Sequence, residues 1–87
     1  MDKEFLKSCV EFLKKEISDK DQEYIANEYK EKGSSWIGEG HFGWGMHIRN
    51  QLRSAGFTDD KLPEQNWDDY YIPVVEIAVG VRQVKYE

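Results

Sequence analysis

The residues best suited to chemistry crowd into one stretch, Gly40-His41-Phe42-Gly43-Trp44-Gly45-Met46-His47-Ile48-Arg49-Asn50. Arg49 offers a planar fork of donors that matches a carboxylate, and Asp68 or Asp69 is the natural partner within the chain. An anionic ligand, or an acid on a partner protein, is the functional alternative. Asn50 beside it can satisfy backbone groups of a neighbouring loop. His41 and His47 are poorly placed as a metal pair, because their spacing puts them on different sides of a helix, unlike the four-residue spacing of zinc helices. Glu39 near His41 could add a ligand, but no third is evident, so neither a metal nor a cofactor is expected. No serine or cysteine stands beside a base: Ser34 and Ser35 fall in a loop, and Cys9 belongs to another segment. Gly38-Glu39-Gly40 lacks the spacing and the preceding strand of a dinucleotide or phosphate loop. Pairing His41 with Glu39 or Asp68 as acid and base is an arrangement that most proteins offer on paper. Catalysis is therefore not the expected activity.

These side chains need an element to hold them. On a helix over His41–Ala55, residues His41, Gly45, Ile48, Leu52 and Ala55 share one stripe, with Trp44 flanking it. Phe42, Met46, Arg49 and Arg53 form a second, mixed stripe, and Gly43, His47 and Asn50 face away. The first turns are apolar or glycine nearly all round, which predicts a helix buried between others. A glycine inside a helix costs about 1 kcal/mol against alanine, so Gly43 and Gly45 imply that another segment comes close. Gly56 is placed to end this helix, with Phe57 available for the apolar contact that accompanies such a stop.

The flanking elements are predicted from periodicity. Phe5, Leu6, Cys9, Val10, Leu13 and Ile17 recur at intervals of three and four, making a helix over Asp2–Ile17, with Phe12 alongside. Ser18 then caps a second helix over about Asp19–Lys32, whose apolar face is Tyr24, Ile25 and Tyr29 and whose end is marked by Gly33. The two are expected to form an antiparallel hairpin. Trp36 and Ile37 in the loop at 33–40 either fold back as a lid on the core or form an exposed patch, and the lid is favoured because so small a domain needs core-filling groups. A polar loop at 58–65 leads to Asn66, which can cap a turn containing Trp67, Asp68 and Asp69. Val74, Ile77, Ala78 and Val81 fit a closing helix with Pro73 in its first turn, while the β-branched run permits a strand from about 74–86 instead. The fold expected is all-α, a small four-helix single domain over residues 1–87, with α+β as the alternative.

Composition bounds the partners. The chain has 87 residues, 33% of them charged and 14% aromatic, with a net charge of −5. That length supports one modest core and a stability of a few kcal/mol. An acidic balance with no unbroken Lys/Arg run argues against nucleic acid, since neutralising a phosphate backbone requires a basic face. The single cysteine, Cys9, allows no intrachain disulfide and suits a reducing cytoplasm. No signal peptide and no membrane-length apolar run are read.

His41, Phe42, Gly43, Gly45, Ile48, Arg49 and Asn50, followed by Asp68 and Asp69, resemble the core signature of a family of small, uncharacterised bacterial and phage-borne proteins, written His-Phe-Gly-x-Gly-x-x-Ile/Leu-Arg-Asn. The match covers about a quarter of the chain, and after Asn50 the sequence departs from the aromatic and Leu-Trp continuation common in that family. The resemblance implies a mostly helical domain and tips the 74–86 region towards helix. It implies no activity. The function expected is a non-enzymatic protein-binding module using Trp36, Ile37, Trp44, His47 and Arg53. Self-association through that patch is a further expectation, and an inhibitor or accessory role in bacteria–phage conflict is the narrower form, by analogy. The rival is a small ligand-binding domain or enzyme with a cleft formed by His41, Arg49 and Asn50.

Overall fold

The computed structural model describes residues 3–38, 43–62 and 66–82, with the side chains of residues 34 and 69 outside the description. The fold is all-α, and the described residues form four α-helices: α1 (Lys3–Glu16), α2 (Asp19–Lys32), α3 (Trp44–Ser54) and α4 (Trp67–Ala78). A short 3-10 turn, Gly33–Ser35, follows α2, and another, Asp59–Lys61, lies between α3 and α4.

The local signals act as their chemistry requires. Ser18 accepts a hydrogen bond from the Asp21 amide at 3.2 Å, so one otherwise unpaired N–H of α2 is satisfied. From the next turn the Gln22 side chain donates back to the Ile17 carbonyl at 2.8 Å and to the Lys14 carbonyl at 3.2 Å, covering the exposed end of α1. Gly56 takes φ +98° after α3, where its amide reaches the Arg53 carbonyl and that of Phe57 reaches the Leu52 carbonyl. Gly80 repeats the device after α4 at φ +86°, with Val81 donating to the Glu76 carbonyl.

Three expectations change. First, α4 is one helix from Trp67, with Pro73 in its interior instead of at its start. Proline there removes the amide that would reach the carbonyl of residue 69, a defect an isolated helix would not tolerate. Packing carries it here: Trp67, Tyr71, Val74, Val75 and Ala78 are all buried. Second, α1 packs more on α4 than on α2, and α3 also packs on α4, so α4 is the central helix. Cys9, Val10 and Leu13 of α1, Ile25 of α2, and Ile48 and Leu52 of α3 close around it in one apolar cluster. Third, α3 is buried on one side only. Gly45, Ile48, Arg49 and Leu52 are inside, while Met46 and His47 are exposed and Gly43 caps the helix with nothing near its missing side chain. No strand occurs among the described residues; the final residues of the 74–86 alternative, including Val84, lie outside them.

The α3–α4 link is polar at its edge. Arg53 grips Asp59 through Nε–Oδ1 at 2.7 Å and Nη2–Oδ2 at 3.0 Å, and Asp59 Oδ2 also accepts from the Trp67 amide at 2.9 Å. Asn66 takes the next amide, that of Asp68, at 2.9 Å, so two side chains cap the start of α4. The Arg53 guanidinium and the Trp67 amide hold the Asp59 carboxyl down from its ordinary 3.8 to about 2. Between those values the unfolded chain binds the extra proton, so this contribution is full above about pH 4 and is lost as pH falls towards 2. With the side chain 30% exposed, it amounts to about 1–2 kcal/mol. Asp59→Asn is expected to remove that increment: urea midpoints measured at pH 5.5 and pH 2.5 will fall less in the variant than in the parent. Parallel losses in both would show that Asp59 is not the group responsible.

Candidate functional site

Two groups of side chains were candidates, the polar set on α3 and the aromatic patch beside it. The polar set is turned inward. Arg49 is 5% exposed, with Nε 2.9 Å from Asp68 Oδ1 and its guanidinium 4.8 Å above the ring of fully buried Tyr71. Asp68 remains 54% exposed, so only one member of the pair leaves water, and the ring face shields it further. Burial raises the Tyr71 hydroxyl pKa, and the nearby Arg49 charge opposes that rise. Gly45 lies under the same ring: a β-carbon there would stand 2.9 Å from Tyr71 Cζ and closer still to its hydroxyl. Asn50 is exposed and accepts from Arg53 Nη1 at 3.2 Å. This arrangement ties α3 to α4 and buries Arg49 between them. His41 lies outside the described residues, as does Glu39. Among the described residues no three His, Cys, Asp or Glu side chains converge as metal ligands.

Cys9 is fully buried, and burial pushes its thiol up to about 12 with Lys61 opposing. A thiol so protonated is a small apolar group and a poor nucleophile.

The aromatic patch opens onto a groove of about 640 Å³ between α2, the turn after it and the head of α3. Ile25 and Trp36 are nearly fully buried there, and half-buried Ile37 and Trp44 line it too. The Trp36 and Trp44 rings meet edge to face at 6.2 Å. Trp36 is fixed: its indole Nε1 donates to Glu76 Oε2 at 2.8 Å, which makes it the lid on the core. His47 is exposed further along α3, and Arg53 is committed to Asp59; neither lines the groove.

Residues not anticipated complete it. Tyr24, expected in the core, is 61% exposed and lines the groove with Asp21, Glu28 and Lys32. Its hydroxyl donates to Glu28 Oε1 at 3.3 Å, and Lys32 Nζ donates to the same oxygen at 3.0 Å, which holds the Glu28 carboxyl below its ordinary range. The four-residue ladder Tyr24–Glu28–Lys32 was the available signal. Glu76 is the other omission. It is 2% exposed and its second oxygen, Oε1, accepts from Arg82 Nη1 at 3.1 Å. A lone acid within Val74-Val75-Glu76-Ile77-Ala78 marks it, since a buried carboxylate requires donors.

Comparison with family models, with curated proteins and with solved structures finds no match to this chain. No helix among the described residues is long and apolar enough to cross a membrane.

Proposed function

We propose that this chain is a non-enzymatic protein-binding module whose contact surface is the groove walled by Tyr24, Ile37 and Trp44. The observation that carries the reading is the pairing of aromatic and aliphatic walls with a charged rim in a concavity of about 640 Å³. Aromatic side chains that are partly wet on the free protein are the usual anchors of such contacts. The rival reading, a ligand cleft at His41, Arg49 and Asn50, has less support because Arg49 is buried against Asp68 and Tyr71. A reducing cytoplasm suits the module, given its one buried thiol. An inhibitor or accessory role in bacteria–phage conflict is the narrower form of the proposal and rests on the resemblance at His41–Asn50.

The test is a photo-crosslinking side chain placed at Tyr24, used in extracts of the source organism. A discrete protein adduct is expected, lost in Trp44→Ala while far-UV circular dichroism stays unchanged. An adduct that persists in Trp44→Ala would remove the groove from the contact. A saturable thermal shift with a small metabolite and no protein adduct would replace this reading with the ligand-binding one.

A further inference from the structure

We infer that the groove's occupant is a segment of a different protein presenting an arginine beside an aliphatic side chain; this rests on the binding-module reading and specifies its partner. The rim has more acid than base. Among the described residues that line it, Asp21 and Glu28 stand with one cation, Lys32, and that cation is already spent on Glu28 at 3.0 Å. Among the described residues no hydrogen bond or ion pair reaches the Asp21 carboxylate, whose own amide is the one bonded to Ser18. The surrounding helix adds to the field, with Asp19, Asp21, Glu23, Glu28 and Glu31 against Lys20, Lys30 and Lys32. An incoming anion is disfavoured at such a mouth, and a cation is drawn to it.

The walls choose between cations. Tyr24 and Trp44 add aromatic surface to the groove that the acids also line, and the Tyr24 hydroxyl meets Glu28 at 3.3 Å. A guanidinium sheds water more readily than an ammonium, stacks on such rings and keeps in-plane donors for a carboxylate. Half-buried Ile37, backed by Ile25 and Trp36, gives the neighbouring aliphatic group its contact. A second copy of this chain is a poor source of that arginine, because Arg49, Arg53 and Arg82 are bound to Asp68, Asp59 and Glu76 respectively.

The probes are two peptides, acetyl-Leu-Arg-Leu-amide and its citrulline counterpart, which keeps the shape and loses the charge. Each is titrated into the full chain while the Trp44 indole resonance is followed. The arginine peptide is expected to shift it saturably, with affinity at least about tenfold above the citrulline peptide at low salt and a smaller margin at high salt. Asp21→Asn, on the exposed rim, is expected to close most of that gap without weakening citrulline binding. Equal binding of both peptides would overturn the arginine specificity while leaving an apolar docking groove intact. Failure of both to move Trp44 at millimolar concentration, with a Trp44-dependent adduct at Tyr24 still formed, would overturn the inference and leave the binding-module reading standing.

Discussion

Trp67→Ala is expected to leave no cooperative thermal transition. Trp67 is fully buried at the first turn of α4, with its ring near Phe5 at 6.2 Å and its indole Nε1 donating to the Phe57 carbonyl at 2.6 Å. Truncating a buried tryptophan to alanine costs about 3–5 kcal/mol, from lost transfer energy and the cavity left behind. The variant also takes the indole donor from the Phe57 carbonyl, in the segment that follows α3. A domain of this length has about 5 kcal/mol to lose, so the loss consumes most of it. Trp67→Phe separates the two parts: it keeps an aromatic ring and removes the donor, and should cost about 1–3 kcal/mol. Circular dichroism melts and urea titrations of the pair provide the check. A sharp transition in Trp67→Ala within a few degrees of the parent would show that the α3–α4 corner does not hold the fold together.

Gly45→Ala should lower the melting temperature, although alanine is the better helix former. The substitution gains about 1 kcal/mol of helix propensity and meets a ring 2.9 Å away at Tyr71 Cζ. That ring cannot swing aside, because Tyr71 is fully buried and Arg49 sits on its face at 4.8 Å. Overpacking of this kind costs about 1–3 kcal/mol, so a net loss of about 1 kcal/mol and a drop of about 4–8 °C are expected. The nearest atom is the hydroxyl oxygen, so Gly45→Ala should cost less in a Tyr71→Phe background. A rise in melting temperature would show that α4 does not approach α3 here.

Much of the fold is legible in the chain because its signals are local. Ser18, Gly33 and Gly56 act within one turn of themselves, and so does Asn66. The apolar spacing of α1 and α3 needs no partner to be read. What escapes is decided elsewhere. Pro73 looks like a helix start because local chemistry puts it there, yet packing on both sides of α4 outweighs the missing bond. The hairpin expected of α1 and α2 follows from their adjacency, but the larger apolar face available to α1 is that of α4. Tyr24 has core spacing and still faces solvent, because Glu28 on the same face accepts from its hydroxyl and is itself held by Lys32. The site divides the same way. A tie from Arg49 to Asp68 or Asp69 is legible from charge and geometry, and the fold selects Asp68, whereas the groove depends on Trp36 being pinned to Glu76, a residue far along the chain.

The packing of α1 on α4 has a consequence for how the chain acquires its shape. α1 is completed by α4, so a growing chain exposes Cys9, Val10 and Leu13 until α4 has emerged. Bringing such distant segments together carries a loop-closure cost that neighbouring helices avoid. Folding should therefore be slower than the helical content alone suggests, and the nascent chain is vulnerable to chaperones and proteases for the length of its synthesis.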